Sequence, residues 1–453
     1  MQVSPLLLQS LQNVKGFNEE SFVSVHASGE QVTSIRINPA KYSELSIMNA
    51  GFEKVPWSTH GYYLNERPSF TSDPAFHAGA YYVQEASSMF LEEAVKQTTD
   101  LARPLRVLDL CAAPGGKSTL LQSIISKESL LVSNEIIKSR VTIVAENLTK
   151  WGAANVVVTN NDPGDFRRLP DFFDLIVVDA PCSGSGLFRK DPGAQNEWSP
   201  NAVQMCSQRQ QRILENVIPS LIPGGILIYS TCSYSAEENE FIAELLLSEH
   251  SLTSLPLIIK KEWGIVETGS EKNIYGYRFY PDKVKGEGLF IAAFKKEACE
   301  KKEEKLLKNK FKLLSKNEME IISPFINDLT FFHPVKWKDE ILAIPMHMLN
   351  DLIKLQSSLY IKKAGVKIGT VIREELIPDH ELAVSTILST DIDFISVDLT
   401  IALNYLRRND VVVDTNKKGW MLLKYNDLPL GWIKNLGSRI NNYYPKEWRI
   451  LNR

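Results

Sequence analysis

The chain is expected to fold around a doubly wound α/β sheet, with a small α+β domain before it and a small β-rich domain after it. Three observations predict this. From Leu105 onward, apolar strand-like runs alternate with amphipathic helix-like runs, the pattern of a parallel sheet covered by helices on both faces. The run Val107-Leu108-Asp109-Leu110-Cys111-Ala112-Ala113-Pro114-Gly115-Gly116-Lys117-Ser118 carries an apolar strand into a small, Gly-rich turn and a helix start. Such a turn offers backbone N–H groups to a cofactor at the carboxyl edge of a sheet. Finally, 453 residues are more than one core usually holds, so two or three domains are expected.

Taken in order, residues up to about Phe76 combine a helical start with a short strand near 32–39, a small α+β unit. The segment from His77 to Ser88 leads into an amphipathic helix ending near Gln97. Strands are then expected at 106–110, 130–134, 156–159, 175–179 and 225–230. Helices are expected at 117–125, 137–151, 200–221 and 236–248, and a last strand pair at 277–280 and 288–294. Between Lys295 and Glu318 there are nine lysines, five glutamates and neither Gly nor Pro, which reads as a solvated helix in a charged linker. Shorter strands and turns follow from Pro324. The resulting division is 1–93, 94–297, a linker at 298–323, and 324–453.

Composition excludes several classes. The sequence is 44% hydrophobic and 23% charged, ordinary for a globular protein. A net charge of −3 means that any nucleic-acid surface must be a local patch. The five cysteines have no C-x-x-C spacing, so neither a zinc site nor a disulfide framework is expected, and no metal. Free thiols indicate a reducing compartment. The N-terminus lacks the basic region of a signal peptide, and no apolar run is long enough to span a bilayer. A cytoplasmic protein that does not engage membranes is expected.

Gly116-Lys117-Ser118-Thr119 resembles the end of a Walker A loop, but that motif needs Gly where Cys111 stands. The G-x-G-x-x-G dinucleotide pattern is absent too. Glu135, after the second strand, is suitably placed for ribose hydroxyls, and Asp162, after the third, for an adenine amino group. Either alone could be an ordinary exposed acid at a strand end. Together with the loop they suit a nucleoside without a pyrophosphate, and S-adenosylmethionine is the obvious candidate.

Cys182 opens a Gly/Ser-rich loop in Asp179-Ala180-Pro181-Cys182-Ser183-Gly184-Ser185-Gly186, and Cys232 sits in Ser230-Thr231-Cys232-Ser233. Each follows its own apolar strand, so both can face one edge of the sheet. Carbon 5 of a pyrimidine is barely nucleophilic. A thiolate adding at carbon 6 makes it able to attack a sulfonium methyl, and a base must then remove the carbon-5 hydrogen. Asp179 is placed to stabilise the adduct beside the ring nitrogen. A free thiol has a pKa of about 8.5, so the nucleophile needs activation. A lone cysteine is more often a buried structural residue, the reading given to Cys111, Cys206 and Cys299. Two on adjacent loops at one edge are harder to dismiss.

These motifs, from Asp109 to Lys117, from Asp179 to Gly186 and from Ser230 to Ser233, resemble the RNA cytosine-5 methyltransferases of the NOL/NOP/Sun family. The similarity extends to Asn38-Pro39, to Tyr82–Ser88 and to Arg189-Lys190-Asp191-Pro192. The tail, with Gly431-Trp432 and Asn441-Asn442-Tyr443-Tyr444-Pro445, is similar to the PUA-like end of the bacterial RsmF-type subgroup, which modifies 16S ribosomal RNA. The resemblance implies a Rossmann-like methyltransferase sheet flanked by RNA-binding domains. It implies Cys232 as nucleophile, Cys182 as releasing group, and Cys111, Ala112, Ala113, Pro114, Gly115, Gly116, Lys117, Glu135, Asp162 and Asp179 at S-adenosylmethionine. DNA cytosine-5 methyltransferases use the Pro-Cys cysteine instead, and sequence alone does not decide which thiol attacks. Lys190 either lines the pocket or is a solvated loop lysine.

The target base must leave its stack to reach the cysteines. The tail interleaves Lys434, Arg439, Lys446, Arg449 and Arg453 with Trp432, Tyr443, Tyr444 and Trp448, a composition suited to nucleotides; at least half of these aromatics are expected in the domain core. Arg36, Arg189 and Lys190 are expected to complete an RNA channel. The partner is then RNA, 16S ribosomal RNA or the small subunit first, transfer RNA second, met by a monomer. A catalytically silent assembly factor is the rival from another class.

Overall fold

The computed structural model describes residues 3–42, 51–269, 273–297 and 311–451. Cys299, Arg453 and most of the charged linker lie outside the described residues.

The N-terminal part begins with helices Pro5–Leu11 and Glu19–Ala27, followed by a three-stranded antiparallel sheet of β1 (Thr33–Ile37), β2 (Gly61–Leu64) and β3 (Tyr81–Val83), with β1 in the centre. The central sheet contains the expected strands β4 (Arg106–Asp109), β5 (Leu130–Asn134), β6 (Val156–Thr159), β7 (Phe173–Asp179) and β8 (Leu221–Thr231), all parallel in the order β8-β7-β4-β5-β6. Successive side chains on these strands enter opposite cores. Val107, Leu131, Val158 and Val177 pack on one face against Leu120, Leu121 and Val144. Leu108, Val132, Val157 and Ile176 pack on the other against Ile213, Leu214 and Leu246. Burial on both faces explains the nearly continuous apolar runs.

The sheet is wider than expected. Beyond β8, β12 (Leu289–Lys296) runs antiparallel and pairs with both β9 (Leu252–Leu255) and β11 (Gly276–Phe279), and β10 (Val266–Thr268) closes that side. At the other edge a strand from the C-terminal half, Ile361–Ala364, pairs with β6. It covers an edge that would otherwise present unpaired backbone groups.

Residues 298–310 of the expected linker helix lie outside the described residues. Helix Lys316–Ile322 starts at a capping box in which the Ser315 and Glu318 side chains satisfy each other's backbone N–H groups. Before it, β13 (Lys312–Leu313) joins β14 (Phe332–Trp337), β15 (Glu340–Pro345), β17 (Val366–Ile372) and β18 (Glu375–Pro378) in a five-stranded sheet, with Ile361–Ala364 as β16. A separate four-stranded sheet holds β19 (Phe394–Ser396), β20 (Gly419–Tyr425), β21 (Leu428–Asn435) and β22 (Ile440–Asn442). The region read as one small β-rich unit therefore contains two sheets. Of the tail aromatics, Trp432 and Tyr444 are core and Tyr443 is exposed.

Two buried cations tie these parts together. The Lys41 ammonium donates to the carbonyls of Ala78 (2.9 Å), just before β3, Lys150 (2.5 Å), between β5 and β6, and Val384 (2.5 Å), after β18. Arg36, expected to face RNA, is 2% exposed. Its guanidinium donates to Gln84 Oε1 (2.8 Å) and Thr119 Oγ1 (2.6 Å) and lies 4.6 Å from the Trp151 ring. Arg189 is also buried, donating to the Glu30 carbonyl at 2.5 Å. Neither can form a solvent-facing channel, because both spend their donors on interior acceptors. Of the three residues, only Lys190 is exposed.

Candidate active site

The chain order reverses direction across the sheet at β4 and β7, and the carboxyl ends of the strands there open onto a crevice. A single cavity of about 670 Å³ occupies it. It is lined by Cys111–Pro114, Gly116, Lys117 and Glu135, by Asp179, and by Cys182 and Cys232. Lys190 lines it from the Pro-Cys loop, and Tyr82, Gln84, Glu85 and Ser88 close it from the N-terminal sheet.

The Gly-rich turn forms as expected. Gly115 has φ +115°, a conformation that costs glycine little, and caps helix Gly116–Ile124. A Cβ at Gly116 would meet the Tyr82 ring at 3.2 Å. The turn is anchored below by Ser118 Oγ donating to Asp109 Oδ2 at 2.6 Å. Burial pushes the Asp109 carboxyl up to about 7, against the pull of that hydroxyl. Glu135, 4% exposed, accepts from the Ile137 N–H at 2.9 Å and the Ala113 N–H at 3.3 Å, so it braces the turn from β5. Arg140 donates to the Ala113 carbonyl at 3.0 Å. Burial pushes the Cys111 thiol up, as suits a neutral wall residue.

Lys117 Nζ lies 2.7 Å from Asp179 Oδ2, and Ser230 Oγ donates to Asp179 Oδ1 at 2.8 Å. Burial alone would lower the Lys117 pKa, but the Asp179 carboxylate outweighs it and holds the ammonium above its ordinary value. With this lysine neutralised, the loop has no free cation for a pyrophosphate. A buried acid at β5 and a neutral turn fit a nucleoside cofactor instead. Asp162 behaves differently: it is exposed, accepts from the Gly164 N–H at 2.9 Å, and caps the turn Pro163–Arg168. Pro163, not Asp162, lines the cavity.

The two cysteines meet, with Cys182 Sγ 2.9 Å from Cys232 Sγ. Adjacent strands β7 and β8 deliver them, and Gly186 locks the loops together by donating to the Cys232 carbonyl at 2.8 Å. A Cβ at Gly186 would sit 2.8 Å from that oxygen. The hydrogen bond with Cys232 and burial hold the Cys182 thiol well above its ordinary range.

Sequence reasoning missed Glu238. It is fully buried and accepts from the Ser183 N–H (2.8 Å), Ser183 Oγ (2.6 Å), Ser233 Oγ (2.6 Å) and Gln210 Nε2 (3.1 Å). One carboxylate thus fixes the residue after each cysteine. Burial raises its pKa, and these donors oppose the rise. The only signal in the sequence was an acid beginning the helix after the Thr-Cys strand.

Fold and site together define an S-adenosylmethionine-dependent methyltransferase. Comparisons with known proteins narrow this class. Family models match three segments: the N-terminal domain of 16S rRNA methyltransferase RsmF at residues 6–86, 16S rRNA methyltransferase RsmB/F at 98–295, and the methyltransferase RsmF PUA domain at 394–450. The ribosomal RNA small subunit methyltransferase F of Serratia proteamaculans is 30% identical over 91% of this chain and 89% of its own length. That of Aliivibrio salmonicida is 32% identical over 91% and 90%. A crystal structure of a methyltransferase homologue from Pyrococcus horikoshii superposes with a TM-score of 0.52 at 28% identity, covering 65% of this chain and all of that one. The chain belongs to the RsmF family of methyltransferases. Among the described residues, no helix is long and apolar enough to cross a membrane.

Proposed function

We propose that this protein methylates carbon 5 of a cytosine in 16S ribosomal RNA, with Cys232 as nucleophile and Cys182 as releasing group. The observation that carries the reading is the pair of touching thiols lining the same cavity as the cofactor turn. The names of the relatives support ribosomal RNA of the small subunit as substrate.

S-adenosylmethionine supplies the methyl group when bound. Cys111–Pro114, Gly116, Lys117 and Glu135 would hold it, with Ile137 and Pro163 as apolar walls; Gly115, outside the lining, shapes the turn. Glu135 accepts ribose hydroxyls with lone pairs left over from its two backbone bonds. The flipped base enters between Lys190 and the cysteines. Cys232 would add as a thiolate to carbon 6, and the electron pair raised at carbon 5 would bond the methyl carbon as the sulfur–methyl bond breaks, the sulfur keeping that bond's pair and leaving as the neutral thioether. Asp179 faces the ring nitrogen and stabilises the adduct. Cys182, once its own proton has passed to solvent, takes the carbon-5 proton, the carbon 6–sulfur bond breaks, and Cys232 leaves as thiolate.

The test is transfer of labelled methyl to small ribosomal subunits, naked 16S RNA and bulk transfer RNA, all from cells lacking this gene. Label recovered as 5-methylcytosine in ribosomal RNA, lost with Cys232→Ala, is the expected result. Label in transfer RNA alone overturns the substrate, and no label despite cofactor binding moves the reading to an assembly factor. Glu135→Ala should weaken cofactor binding about 10- to 100-fold by calorimetry, the worth of a hydrogen bond to a charged group. Glu238→Ala should lower kcat about 100-fold by misplacing both thiols. Glu238→Gln, which keeps one acceptor oxygen, should recover part of that loss.

A further inference from the structure

Residues 296–393 lie between the two family segments at 98–295 and 394–450, and they carry a second groove. It has a volume of about 220 Å³. Trp337, at the end of β14, and Tyr360, just before β16, supply its aromatic walls. Tyr360 is 65% exposed, a high value for so large an aromatic residue in a well-packed region. Four lysines and two glutamates also line the groove, an excess of two positive charges. The charges are not equivalent. Lys363 pairs with Glu381, and Lys367 pairs with Glu340 (2.5 Å) and Asp379 (3.0 Å). Lys338 and Lys362 are exposed and have no ion pair among the described residues. Lys338 occupies the β14–β15 turn at φ +59°, where asparagine or glycine would cost less.

One lining residue, Tyr360, lies at the carboxyl edge of the central sheet, the edge that carries the catalytic cavity. The Tyr360 N–H donates to Asn161 Oδ1 at 3.1 Å, and its carbonyl accepts from the Asn160 N–H at 3.1 Å. The Asn160 side chain in turn donates to the Glu135 carbonyl at 2.6 Å, at the lip of the cofactor site. Strand β16 stands two strand spacings from β5, about 10 Å, and five from β8, about 24 Å. A base held there is not the reacting base.

We propose that Trp337, Lys338, Tyr360 and Lys362 form a binding site for a single-stranded segment of RNA flanking the target base. The inference rests on the reading of RNA as substrate. Two aromatic faces accept bases of any sequence, and two unpaired ammonium groups meet the phosphates between them.

The test uses the full chain and two probes, a labelled oligouridine and 16S ribosomal RNA. Lys338→Ala/Lys362→Ala should flatten the slope of log K against log salt for oligouridine by about 1.4, the loss of two single-strand phosphate contacts. Tyr360→Ala should weaken binding roughly tenfold. In methyl transfer, both variants should raise KM for ribosomal RNA several-fold and leave kcat and KM for the cofactor unchanged. Ultraviolet crosslinking should mark the peptide containing Tyr360. Unchanged affinity and slope in both variants, or crosslinks confined to other segments, overturn the proposal. Oligouridine binding that depends on the groove in a protein that methylates no RNA would sink the function reading and keep the groove.

Discussion

Cys182→Ala is expected to accumulate a protein–RNA adduct that survives denaturing electrophoresis, while Cys232→Ala forms neither adduct nor product. The reason is the division of labour between two sulfurs 2.9 Å apart. Without Cys182, Cys232 can still add to carbon 6 and the methyl group can still transfer. Cys182 takes the carbon-5 proton as a thiolate, after its own proton has passed to solvent; without that sulfur no positioned group takes it, so the carbon 6–sulfur bond persists. Loss of a positioned proton-transfer group costs about 10²–10⁴ in rate, and turnover should fall by that range. Without Cys232 no covalent step begins, and the double variant should behave as Cys232→Ala. An adduct in Cys232→Ala and none in Cys182→Ala would reverse the roles.

The second large effect is expected at Arg36, far from the reacting atoms. Arg36→Met should lower stability by about 3 kcal/mol, the cost of leaving several interior acceptors unsatisfied. In thermal unfolding of the whole chain that is a loss of about 3 °C. The acceptors lost are Gln84 Oε1, Thr119 Oγ1, Ser123 Oγ and the Gly116 carbonyl. Three of them sit on the helix that begins in the cofactor turn, so cofactor affinity should fall as well. An exposed, RNA-facing arginine would behave otherwise: unfolding would not move, and only RNA binding would weaken with a changed salt slope.

The cofactor turn was legible because its determinants are local. An apolar strand, two glycines and a helix start within a dozen residues dictate its conformation whatever surrounds it. Glu135 was legible for the same reason, as an acid one residue past a strand. Asp162 obeyed the same rule and still turned outward, because the nearby Gly164 N–H captured its carboxylate. Glu238 was invisible because its partners Ser183 and Gln210 are distant in the chain. Arg36 and Arg189 read as surface charge, since neutral interior acceptors leave no mark in sequence. β16 was hidden in a lysine-rich segment, its strand character lent by the edge of β6.

By itself, the sequence determined the alternation of strands and helices, the cofactor turn, and the presence of two cysteines after two strands. These follow from hydrophobic periodicity and short-range backbone bonding. Only the tertiary structure decided that the two sulfurs touch, that one glutamate holds both their loops, that two arginines are buried, and that a C-terminal strand completes the central sheet. Each depends on the order of strands in the sheet, which brings together residues that no local interaction connects.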